Sequence, residues 1–189
     1  MKERYIELNK LAEHNGTVIF GADTAFNIPL AELKQTFSLK GNYYNRSVKG
    51  LSVADAENIY SLYAAEIQPD NVLLHIGDND IEMFINSPKE FADKYRSLIY
   101  QIKENNSKCQ IAVISLKNYI NDKNISKLNE SLKNIAESEN CEFCDISKKG
   151  IWNPKQVKEI NSFVYDIGFV RPLKIKRPLY DLVKILFLL

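Results

Sequence analysis

The chain is poor in the residues on which metal and nucleophilic chemistry most often rest: its 189 residues include two histidines, three cysteines and seven glycines. Each scarcity removes a class of function. Cys141 and Cys144 have C-x-x-C spacing, but no second cysteine pair or nearby histidine completes a zinc or redox set, so reduced and largely buried thiols are expected and no metal site is. No glycine-rich loop follows the first apolar run, which argues against a phosphate or flavin binder, and no cofactor is called for. Excess charge of one sign is also missing: the net charge of +1 gives no reason to expect nucleic acid. Long apolar runs are absent too, and the stretch after Lys184 is far too short to span a bilayer. Met1 to Tyr5 carry charges of both signs and no apolar core of the signal-peptide kind, so the expected compartment is the cytoplasm. No repeat, low-complexity segment or linker divides the chain, and residues 1–189 read as one domain able to bury a two-sided core.

What is present is an alternation of two periods. Residues 2–13 place Tyr5, Leu8, Leu11 and Ala12 at helical spacing, and His14-Asn15-Gly16 reads as the end of that helix. Val18-Ile19-Phe20 then forms a short β-branched and aromatic run that stops at Gly21-Ala22-Asp23-Thr24, a strand ending in a tight corner. A short helix is expected from Pro29, a brief strand at Tyr43-Tyr44-Asn45, and a helix from Val53 to Glu66 with Ile59, Tyr63 and Ile67 inward. Asn71 to Ile76 is nearly continuous in apolar residues, as in a strand buried on both faces, and ends at Gly77-Asp78-Asn79-Asp80. A long helix follows from Ser87 to Asn105, then a strand at Gln110–Leu116, a helix at Ile125–Glu139 and a strand at Cys141–Ile146. Such alternation predicts an α/β fold with crossovers around a mostly parallel sheet. Residues Asn153–Ser162 do not settle between helix and loop. Leu179, Leu182, Val183, Leu186 and Leu189 mark a terminal helix packed on the domain, the alternatives being a contact between copies of the chain or a membrane-surface contact.

In open α/β sheets, ligands bind beyond the carboxyl ends of the strands, so the polar corners draw attention. Thr24 offers a hydroxyl just past the first strand. The plainer reading is that Asp23-Thr24 caps the next helix.

Three corners in order, Ala22-Asp23-Thr24, Asn45-Arg46-Ser47-Val48-Lys49-Gly50 and Gly77-Asp78-Asn79-Asp80, resemble the SGNH, or GDSL-type, esterases and acylhydrolases. That family has Gly-Asp-Ser after its first strand, an oxyanion glycine in a loop often written Asn-Arg-Gly-x-x-Gly, and Gly-x-Asn-Asp. The resemblance implies a three-layer α/β/α sandwich with a flavodoxin-like parallel sheet. It also implies Thr24 in the nucleophile's place, and Thr24, Gly50 and Asn79, with Asp23 beside them, as the oxyanion or ligand-binding set. The late Asp-x-x-His block aligns with Asp166-Ile167-Gly168-Phe169, which puts Asp166 at the orienting carboxylate and Phe169 where the base should be. Neither His14, at a helix end, nor His75, inside a strand, replaces it. An alcohol needs a base to attack an ester, so the expectation is a catalytically impaired relative that keeps a pocket for a small acylated or carbohydrate-like ligand. Two alternatives stand beside it: an active carboxylesterase or deacetylase using Thr24 with Asp166, Asp78 or Asp80 as base, and an interaction or scaffold module acting through the C-terminal helix.

Overall fold

The computed structural model describes residues 2–118, 120–147 and 178–187. Five strands form one all-parallel sheet: β1 (Thr17–Gly21), β2 (Tyr43–Asn45), β3 (Asn71–His75), β4 (Gln110–Ile114) and β5 (Glu142–Cys144), in the spatial order β2-β1-β3-β4-β5. This is the flavodoxin-like doubly wound order, which reverses direction between β1 and β3 and opens a crevice at that point. Register places Gly21 beside His75, so the first and third polar corners leave the sheet side by side.

Both faces of the sheet are covered. Val18, Phe20, Val72, Leu74 and Val113 point to one face, where α4 (Val53–Tyr63), α6 (Pro88–Asn105) and α7 (Lys123–Ser138) close the larger core. Ile19, Leu73, Ala112 and Ile114 alternate to the other face, beneath α3 (Leu30–Thr36) and α8 (Pro178–Phe187). With period-2 side chains buried on both sides, the runs read as continuously apolar. The result is a three-layer α/β/α sandwich, as the resemblance implied. Within α8, Leu179, Val183, Leu186 and Phe187 are buried against the sheet, so the tail's apolar stripe packs on its own domain. Among the described residues no helix is long and apolar enough to cross a membrane.

Several elements differ from the sequence expectation. The first helix, α1 (Lys2–Asn9), stops four residues early, and Leu11 is 84% exposed rather than inward. Its anchor is polar: buried Asn9 accepts from Arg46 Nε at 2.9 Å and donates to the Tyr63 carbonyl, while Tyr5 packs on Tyr63. A helix not foreseen, α5 (Ile81–Asn86), begins directly after Asp80. The 53–66 helix ends at Tyr63 and a 3-10 turn (Ala65–Ile67) follows; Ile59 is only partly buried, whereas Tyr60 is fully buried, edge-on to Phe20 at 5.4 Å. Asn153–Ser162, Asp166 and Phe169 lie outside the described residues. The three cysteines form no disulfide, and burial pushes Cys109 up to about 12 and Cys141 up to about 11, which leaves both as unreactive thiols at neutral pH.

Candidate functional site

The site lies where β1 and β3 end. Gly21 has no room for a side chain there: a Cβ would fall 1.8 Å from the His75 carbonyl oxygen. That closeness lets the Ala22 N–H donate to the same carbonyl at 3.0 Å and turns the chain sharply into α2 (Asp23–Phe26). Asp23 and Thr24 are therefore the first two residues of a helix, not its cap. The cap position is Ala22, and no side chain caps the helix. The capping account fails because the Asp23 carboxylate points elsewhere.

It points at the second and third corners. Asp23 Oδ2 accepts from the Gly50 N–H at 2.9 Å and from Asn79 Nδ2 at 2.9 Å. These two hydrogen bonds, Asn79 first, hold the Asp23 carboxyl below the usual carboxylate range. Asn79 Nδ2 also donates to the Leu51 carbonyl at 3.3 Å, and the Thr24 N–H meets Asp78 Oδ2 at 3.4 Å, a long contact. The structure thus brings Thr24, Gly50, Asn79 and Asp23 together as the sequence resemblance grouped them. All three oxyanion-type donors face a carboxylate of the chain itself, Gly50 and Asn79 that of Asp23 and Thr24, at the longer distance, that of Asp78.

The loop that presents Gly50 is pinned along its length. Asn45 Nδ2 donates to the Ala25 carbonyl and its Oδ1 accepts from Ser47 N. The Arg46 guanidinium sits between the Tyr5 and Tyr44 rings at 5.2 and 5.3 Å, buried and desolvated, and the Val48 N–H bonds the Gly21 carbonyl. Gly50 itself has φ +72, a left-handed conformation that favours glycine.

Asp80 and His75 have structural surroundings. Asp80 is buried and accepts the Val53 N–H at 3.0 and 3.1 Å, closing the start of α4 from another corner. Burial pushes its carboxyl up to about 6. His75 is 1% exposed, stacked on Phe187 of α8 with ring centroids 5.2 Å apart, and neither ring nitrogen has a hydrogen-bond partner among the described residues. Its Nδ1 is 3.8 Å from Asp78 Oδ1. Burial lowers the imidazole pKa despite that carboxylate, so the ring is neutral near pH 7 and the contact is not an ion pair.

Beside Thr24 a cavity of about 470 Å³ opens between α3 and α8. Ile28, Pro29, Leu33, Leu186 and Phe187 give it an apolar wall, and Thr24, Asn27 and Lys117 its polar groups. Lys117 was not singled out from sequence. Its position three residues past β4, at the same carboxyl edge, was the available signal.

Parallel order, three corners at one edge and a side cavity define a fold class: this is the fold of the SGNH, or GDSL-type, hydrolases. No protein-family model and no curated protein matches the sequence. Solved structures do. A protein from Streptococcus pneumonia provisionally described as a platelet activating factor superposes with a TM-score of 0.68 at 17% identity, over 88% of this chain and 90% of that one. A GDSL-like lipase from Bacteroides thetaiotaomicron gives 0.55 at 16% identity, over 76% and 77%. An acetylxylan esterase from Geobacillus stearothermophilus gives 0.51 at 17%, over 70% and 77%. Identities this low carry the fold and no more.

Proposed function

We propose that this chain is a catalytically impaired SGNH-fold protein that binds a small acylated or carbohydrate-like ligand at the carboxyl edge of its sheet. The observation that carries the reading is where its two histidines sit. His14 precedes β1 and so lies at the opposite end of that strand from Thr24. His75 is sealed under Phe187, and neither of its nitrogens bonds the Thr24 hydroxyl. Without an imidazole the hydroxyl stays protonated, and the threonine methyl crowds its path of attack. Asp23 adds to the case by taking the Gly50 and Asn79 donors that would otherwise meet a carbonyl oxygen. Among the neighbours, catalytic mutants of the Geobacillus enzyme replace a serine or an aspartate by alanine; here threonine stands at the place of the serine in the family's first block.

The test is hydrolysis of short-chain p-nitrophenyl esters by the wild type, Thr24→Ala and Thr24→Ser/Phe169→His. The wild type is expected to show no turnover above Thr24→Ala, since loss of a triad histidine costs on the order of a million-fold in turnover. Wild-type turnover abolished in Thr24→Ala overturns the reading. It would favour the second one, an esterase whose base is a carboxylate. Asp78 supports that alternative best, because its Oδ2 already reaches the Thr24 N–H, whereas Asp80 is turned to Val53.

A further inference from the structure

We propose that the cavity beside Thr24 receives an aliphatic monocarboxylate, whose anionic head is read by Lys117 and whose chain lies along the wall formed by α3 and α8. The inference rests on the cleft being a binding site, as proposed above, and goes on to name its ligand class.

Three observations converge on it. First, Lys117 is half-buried at the cavity's rim, and among the described residues no carboxylate pairs with its ammonium and no hydrogen bond holds it. Its charge is nonetheless felt inside the site, since it opposes protonation of His75. A partly desolvated cation without a partner is a ready anion receptor. Second, most of the remaining lining is apolar: Ile28, Pro29, Leu33, Leu186 and Phe187 outnumber the single amide of Asn27 in a volume typical of small-molecule pockets. An alkyl chain gains there by leaving water, whereas a sugar would leave its hydroxyls unpaired along that wall.

Third, the local charges limit the head group to a single negative charge. Asp78 and Asp23 lie beside Thr24, and the Gly50 and Asn79 donors are already turned to Asp23. A phosphate dianion needs several donors, which the described residues of this site do not offer, and would meet the two carboxylates beside Thr24. One carboxylate on one ammonium, with the Thr24 hydroxyl in the same lining, fits the balance.

The experiment is calorimetric titration of the full chain at pH 7.5 with sodium butanoate, hexanoate and octanoate, and with octanamide as the uncharged counterpart. Octanoate is expected to bind saturably at one site, each added methylene tightening the complex roughly three- to fourfold. Octanamide should bind at least about tenfold more weakly. Lys117→Met should weaken octanoate by about the same factor without changing octanamide, and Lys117→Arg should restore octanoate. Equal binding of octanoate and octanamide, or octanoate binding unchanged in Lys117→Met, overturns the charge reading; no binding of octanoate overturns the proposal outright. The two proposals fail separately. A wild type inert toward esters that ignores octanoate loses only this inference, and one that hydrolyses esters through Thr24 loses the impaired-enzyme reading whatever octanoate does.

Discussion

At the scale of single residues, the site is governed by one carboxylate and one glycine. Asp23 draws the second and third corners together through Gly50 and Asn79, and it does so from a helix's first turn, where a negative charge is also favoured by the backbone dipole. Gly50 donates to it from a left-handed backbone conformation. A Cβ there would meet nothing within 4 Å, so the penalty of Gly50→Ala is conformational rather than steric. We expect a loss of about 1–2 kcal/mol in urea unfolding. The same variant should raise the Asp23 carboxyl back toward the ordinary carboxylate range, readable by carbon-detected NMR titration. An unchanged Asp23 titration would mean that the Gly50 N–H does not stabilise that charge.

At the scale of elements, α8 is the one whose role is least evident from its own pattern. Its stripe was readable as amphipathic, but the pattern does not say what it covers. In the fold it lies over the β3, β4 and β5 side of the sheet and brings Phe187 onto His75. Phe187 stacks over that imidazole. Phe187→Ala should therefore have two consequences: a loss of about 3 kcal/mol in stability from the vacated volume, and a rise of the His75 pKa toward its ordinary value as water reaches the ring. Proton NMR of the His75 ring follows the second directly. If the pKa stays depressed in a folded variant, the desolvation comes from the sheet itself and not from the helix.

At the scale of the whole molecule, two buried groups give the stability curve opposite slopes. The folded Asp80 carboxyl, at about 6, holds its proton over a range where the unfolded chain, near the ordinary value of 3.8, has lost it. Stability from this group therefore falls as pH rises from about 4 to about 6, by up to about 3 kcal/mol. His75 acts the other way. Its folded pKa lies below its unfolded value of 6.5, so the unfolded chain binds the extra proton and stability falls as pH drops below that value. Asp80→Asn keeps an acceptor for the Val53 N–H and removes the first slope. It should gain about 1–2 kcal/mol at pH 7.5 and leave stability climbing with pH up to about 6.5. Thermal melts of both proteins from pH 4.5 to 8 test this; parallel curves would show that Asp80 is not the source of the slope.

The sequence determined the layers and the edge. Apolar runs of strand length between amphipathic helices have few ways to bury both patterns, so the parallel α/β sandwich was legible. So was the long α6, whose Phe91, Tyr95, Leu98 and Ile102 are all buried as their spacing requires. The meeting of Thr24, Gly50 and Asn79 was legible through the order of three short motifs. Tertiary structure alone decided the rest. Periodicity says which face of a helix is apolar, not which helix turns a polar side chain into a neighbouring corner. Asp23 thus read as a cap when it is a clasp, and Leu11 read as core although α1 is held by Asn9, Arg46 and Tyr5. Lys117 and Phe187 are 70 positions apart, and only the winding of the sheet brings both to one cavity with Thr24. Long-range electrostatics and packing depend on that three-dimensional proximity, which local sequence does not encode.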